Sequence, residues 1–147
     1  MLSNQGLSIR LWTNLSEDVV CRRVGELVRQ EGLEVASQMD ASGLIESETG
    51  LRLEKFTILN VWNPLASYYA LLASPEAGFF VPFRIVVASY HGGTLVAAMN
   101  PRWLAELADA IDKLSFELLV TEISAKFGRI LRALEAAVAA EGTQKVA

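Results

Sequence analysis

The chain has 147 residues, a formal net charge of −4 and an isoelectric point near 5.0, which excludes the concentrated basic face that phosphate-backbone binding demands and sets nucleic acid aside as a partner. Its one cysteine, Cys21, allows no intrachain disulfide and no Cys-x-x-Cys redox or zinc motif, so a reducing, cytoplasmic setting is expected. Apolar residues make up 52% of the chain and the mean hydropathy is +0.30, above the roughly 45–50% of an ordinary soluble domain, so apolar surface is expected to remain for a partner or ligand.

Leu7, Ile9 and Leu11 alternate with Ser8, Arg10 and Trp12, the period-two signature of a half-buried strand. Asn14 or Ser16 can cap a helix whose first turn carries Glu17 and Asp18, where the helix dipole favours acid. Val20, Val24, Leu27 and Val28 continue it to Gly32, which predicts a helix over about 16–31. Leu33 to Met39 alternates again and should return beside the first strand. A weak helical turn spans Ser42 to Thr49, Gly50 closes it, and Phe56 to Trp62 forms the next strand. At Asn63-Pro64 the chain turns helical, because Asn caps well and Pro is tolerated at the first helical position, so Leu65 to Ala73 is a short helix ended by Pro75 to Gly78.

Phe83 to Tyr90 and Thr94 to Met99 are rich in β-formers, and His91-Gly92-Gly93 between them supplies the positive φ of a tight hairpin. Asn100-Pro101 repeats the earlier capping device and opens a helix over Arg102 to Leu107. The last helix begins near Ser115, with Phe116, Val120, Ile123, Phe127, Ile130 and Leu134 on one face; beyond about residue 140 the tail is expected to fray. One α+β domain over 1–147 follows: a two-layer sandwich with a largely antiparallel sheet of about five strands, helices packed on one face, and a long C-terminal helix.

The first six residues lack the basic start and apolar run of a signal peptide. The uncharged stretch from Phe56 to Pro75 is interrupted by Asn60, Asn63-Pro64 and Ser67, so no membrane association is expected. Alternation places Val86, Ala88 and Leu95 on one face of the hairpin and Ile85, Val87, Val96 and Ala98 on the other, and separates Phe56, Ile58 and Trp62 from Leu59 and Val61. Both faces are apolar, whereas a two-layer domain covers one with its own helices. A homo-oligomer, first of all a dimer, is therefore expected, with a second copy over the open face or along the last helix, where Gly128 would let another backbone approach.

The string Asn63-Pro64, Ala66, Leu71-Leu72, then Ser74-Pro75-Glu76-Ala77-Gly78-Phe79-Phe80-Val81-Pro82-Phe83-Arg84-Ile85-Val86-Val87 resembles the family catalogued as domain of unknown function 302, from about Ser16 to about Leu107. The resemblance implies a two-layer α+β fold and no established activity. Many members carry cysteines where this chain has Trp62 and Phe83, so thiol chemistry of the kind proposed for relatives lacks its groups here.

No nucleotide-binding, nucleophile-elbow or zinc-protease motif occurs, and neither a metal nor a cofactor is expected. His91 lies between Tyr90 and turn glycines, and Cys21 borders a valine stripe, which fits a packed thiol. The two Asn-Pro helix starts would face one anion together with Arg84 if their strands run the same way, although ordinary capping explains each. A curved sheet around the long helix would enclose a pocket lined by Trp62, Tyr68, Phe83 and Trp103, with Asn63 and Arg84 orienting a small amphipathic or anionic ligand; the same aromatics also suit core filling. The expected function is a non-catalytic ligand-binding or assembly module that self-associates. The alternative is an enzyme or sulfur-handling protein whose groups, such as Cys21, meet only in the fold or across an oligomer.

Overall fold

A computed structural model of the protein describes residues 2–4, 6–105 and 113–146. In chain order the elements are β1 (Ser3–Asn4), β2 (Ser8–Thr13), α1 (Glu17–Gln30), β3 (Glu34–Asp40), α2 (Ala41–Thr49), β4 (Phe56–Trp62), α3 (Pro64–Ala73), a 3-10 turn (Pro75–Phe79), β5 (Phe83–Tyr90), β6 (Gly93–Met99), α4 (Pro101–Ala105) and α5 (Lys113–Val146). The sheet order is β1-β2-β6-β5-β4-β3 and every adjacent pair is antiparallel. The expected α+β fold with its antiparallel sheet and long C-terminal helix is what the chain adopts, but β3, expected beside the first long strand, pairs instead with β4 at the opposite edge of the sheet. Residues 106 and 107 of the helix predicted from Arg102 lie outside the described residues.

Local chemistry accounts for the element ends. Asn63 caps α3, its Oδ1 accepting from the Ala66 N–H, and Pro64 opens the helix. Asp40 does the same for α2, accepting from the Gly43 N–H at 2.9 Å and the Ser42 hydroxyl at 2.7 Å. Ser16 occupies the cap of α1 with extended backbone, yet its side chain makes no capping bond; the acidic first turn is left to complement the dipole. The hairpin loop is two residues, because Tyr90 pairs with Gly93, and His91 and Gly92 both take positive φ, 49° and 75°, as a type I′ turn requires. Gly93 belongs to β6, where a Cβ would collide with the Thr13 carbonyl oxygen and the Trp12 ring of β2.

Register fixes which side chains share a face. Leu11, Val96, Val87 and Thr57 form one inward row, with Ala98, Ile85 and Leu59 beside them, and each is buried. Against this face lie α1, through Val20, Val24 and Val28, and α5, through Phe116, Ile123, Phe127, Ile130 and Leu134. The whole predicted seam of the last helix is thus spent on the chain's own sheet. At roughly 1.5–3 kcal/mol for each large apolar side chain removed from water, it is a main source of cohesion. Ion pairs from Arg23 to Glu141 and from Arg129 to Glu31 hold α5 to α1 and its C-terminal turn. Within the chain, Gly128 faces the guanidinium of Arg132, one turn further along the same helix.

Candidate functional site

Two features of this framework are left unused by folding. The first is the outward face of the sheet. Trp12, Leu95, Ala88 and Phe56 form one row across β2, β6, β5 and β4, and Ala97, Val86, Ile58 and Met39 form the next, two residues along, with the charged Arg10 at its β2 end. Apart from Ala88 these residues are half-buried or exposed, so the face is open and apolar except for Arg10 near its β2 edge. Trp12 is held in place on it: its Nε1 donates to the Tyr90 carbonyl at 2.9 Å, Gly93 makes room for its ring, and 45% of the residue stays exposed.

The second is an open cleft of about 1140 Å³ on the inward side, between α1, β3, α2 and the loop before β4. It exists because of what α1 presents there. Glu17, Cys21, Gly25 and Arg29 follow one another at four-residue spacing and make a single ridge along the helix, with a small residue at each of its two middle positions. Opposite, β3 offers Gln38 and Asp40, paired with Leu59 and Thr57 of β4. A packed helix–sheet contact would carry large apolar side chains at such positions; small and polar ones leave space.

One end of the cleft is closed by hydrogen bonds. Glu17, 6% exposed, accepts from the Thr57 hydroxyl at 2.6 Å, and Lys55 grips both carboxylate oxygens of Asp18 at 2.6 and 2.7 Å. The Lys55 hydrogen bond and charge hold the Asp18 carboxyl below the usual carboxylate range. Burial, and then the charges of Glu17 and Asp18, push the Cys21 thiol up, against a smaller opposing effect of Lys55. Cys21 is therefore a neutral thiol in the cleft wall, the opposite of what a thiolate nucleophile needs.

The six candidate residues from the sequence lie elsewhere and do not share one cavity. Phe83 is fully buried on the inward face, whereas Arg84, its neighbour in β5, is exposed on the outward one beside Asn60. Trp62 is half-buried at the end of β4 and packs on the margin of the core. Tyr68 is 57% exposed on α3, stacked edge-on against Tyr69, and Trp103 is 44% exposed on α4. Asn63 is occupied by its cap and by the Glu122 carboxylate, to which its Nδ2 donates at 2.9 Å.

Because β4 and β6 both run antiparallel to β5, the two Asn-Pro starts do lie at the same end of the sheet. Their side-chain amides are already engaged, however, the Asn100 Nδ2 donating to the Gly6 carbonyl and the Asn63 Nδ2 to Glu122. A carboxylate, Glu122, already sits at Asn63, and Arg84 is on the far face. Of the cleft residues only Cys21 is a candidate in the sequence, although the small residues at 21 and 25 between Glu17 and Arg29 are a readable sign of a gap in the helix ridge.

The fold and this arrangement define a small antiparallel α+β protein, and comparison with known families places it more closely. The profile of the family described as domain of unknown function DUF302 matches residues 11–134, so the chain belongs to that family, and the match extends past the stretch recognisable by eye into α5. The crystal structure of an uncharacterized conserved DUF302 protein from Bacillus stearothermophilus is similar over 86% of this chain and 97% of that one, with a TM-score of 0.74 and 23% sequence identity. No curated protein matches the chain. Among the described residues no helix is long and apolar enough to cross a membrane.

Proposed function

We propose that this protein is a non-catalytic binding and assembly module, cytoplasmic, whose outward sheet face is covered by a second copy of the chain and which carries a small ligand. The observation behind self-association is the open apolar face with Trp12 fixed upon it. Five strands at about 4.8 Å and seven residues at about 3.4 Å span roughly 24 by 24 Å, so two copies would bury about 1,100 Å² together, just above the ~1,000 Å² that a specific interface requires. One exposed face can pair with its own copy under a two-fold axis, the commonest oligomer symmetry. Trp12 has the character of an interface anchor: its polar tip is already satisfied, its side chain is immobilised, and its ring is free. The margin of the same face carries Arg84, Asn60 and Ser37, the polar rim that soluble interfaces show.

Native mass spectrometry and light scattering at micromolar concentration test the reading. A dimer that Val86→Glu converts to a folded monomer supports it, since a carboxylate at the centre of the face would be desolvated without a partner. A monomeric parent, or a dimer indifferent to Val86→Glu, overturns it.

A further inference from the structure

We infer that the cleft between α1 and β3 is a binding site for a small amphipathic anion, with the anionic head held by Arg22 and Arg29 and the apolar body lying over Cys21, Leu53 and Leu59. This names the place and ligand class for the ligand-binding half of the function proposed above, on which it rests, and it does not depend on the interface half.

The ligand's charge follows from what the lining leaves unpaired. Four of the five acids lining the cleft have partners, Glu17 in Thr57, Asp18 in Lys55, Asp40 in the first turn of α2, and Glu46 in Arg52 at the limit of an ion pair, 4.0 Å; the fifth, Glu54, lies on the loop before β4 and not on α1, which carries Arg22 and Arg29. Arg22 and Arg29 enter no ion pair among the described residues, although both line the cleft. Arg22 reaches the field of Asp18, but Lys55 already occupies that carboxylate. Arg29 folds back along its own helix, its guanidinium nitrogens 3.6 and 4.0 Å from where a Gly25 Cβ would stand. The missing side chain at 25 thus opens the helix surface directly beside a fork-shaped donor suited to carboxylate or phosphate.

The rest of the ligand follows from the floor and rim. Leu59 is buried in the floor, Cys21 is half-buried in the wall as a neutral thiol, and Leu53, exposed on the loop before β4, overhangs the opening. Polar contact is available midway from Gln38. The cleft, about 1140 Å³, is slightly larger than the roughly 300–1,000 Å³ of ordinary ligand pockets, so a small ligand would fill part of it. One anionic head and a short apolar chain match the two arginines of α1 and the exposed Leu53. A cation would meet two arginines at the α1 side, and a sugar would leave the exposed Leu53 uncovered.

The test uses octanoate and octyl phosphate as probes, with octanol and octylammonium as controls, on the full chain. Cys21 is a built-in reporter: bound probe should slow its alkylation, and amide resonances of Gly25, Gly43 and Leu53 should shift together. Octanoate or octyl phosphate should bind at least about tenfold more tightly than either control, and Arg22→Ala with Arg29→Ala should remove that preference, as loss of charge-assisted hydrogen bonds does. Preference for the octyl phosphate would assign a phosphate head, and preference for octanoate a carboxylate. Arg132→Ala, which removes one such charge from α5, should leave binding unaltered. Gly25→Leu fills the space without touching charge and should abolish binding while circular dichroism stays native. Equal affinity for octylammonium overturns the anionic class, and no protection of Cys21 by either anion overturns the site; in both cases the self-association test is untouched.

Discussion

Two side chains show how the framework sets local chemistry. Cys21 sits beside Glu17 and Asp18 in a partly desolvated wall, so its thiol titrates above the ordinary range. Removing negative charge nearby should bring it down: Glu17→Gln, which can still accept from Thr57, should speed iodoacetamide alkylation at about pH 8.5, near a free thiol's ordinary pKa, whereas Lys55→Met should slow it. A parent thiol that reacts as fast as free cysteine would contradict the assignment and reopen a catalytic role. Glu122 is the second case. Burial raises its pKa, but hydrogen bonds from Lys126 and Asn63, each 2.9 Å, together outweigh that and leave it lowered.

A depressed carboxylate stabilises the fold at pH above its unfolded value, and the contribution disappears as pH falls through the folded value. Asn63→Ala should therefore cost about 1 kcal/mol as a lost cap, plus a part that shrinks in acid as Glu122 protonates. Urea unfolding of both proteins at neutral and acid pH measures this, and a difference that grows in acid would reject the Glu122 linkage.

At the scale of elements, the turn between β5 and β6 makes the sharpest demand on sequence. Gly92 holds a φ of 75°, so Gly92→Ala should lower stability by about 1–2 kcal/mol through left-handed strain alone. Gly93→Ala should do more damage, because its methyl group would push β2 away from β6 and tilt Trp12. Thermal unfolding orders the two, and equal losses would mean that the close approach at Gly93 relaxes freely. This hairpin, the two faces of the sheet and the seam of α5 were all readable, because a period of two or of three to four residues carries face and element together.

The grouping of Trp62, Asn63, Tyr68, Phe83, Arg84 and Trp103 was less readable. Adjacent strand residues cannot line one pocket from the same side, and the period that assigned the core already separated Phe83 from Arg84. What placed Tyr68 and Trp103 on the surface is not periodic at all: α3 turns Ser67 and Ala70 inward and its larger side chains out, a choice made by the close packing of α3 on α5. The cleft depends on a spacing between α1 and β3 that arises only when both are docked, so a glycine and a cysteine in a valine-rich helix reveal it late.

For the molecule as a whole, the two unused surfaces lie on opposite faces of one sheet, and they should answer to different substitutions. Ile58→Arg projects outward from β4, between Val86 and Met39, and should give a monomer whose octanoate affinity is that of the parent. Gly25→Leu fills the inward cleft and should give a dimer of parental stability that no longer binds. Sites with no shared partners are additive to within about 0.5 kcal/mol, so the double variant should be a monomer without affinity and nothing worse. Analytical ultracentrifugation and calorimetry on the four proteins read both properties. If Ile58→Arg also weakened octanoate binding well beyond that limit, β4 would be transmitting the change. Its residues alternate between the two faces, Leu59 lining the cleft and Ile58 the interface, and assembly would then control occupancy of the cleft through a single strand.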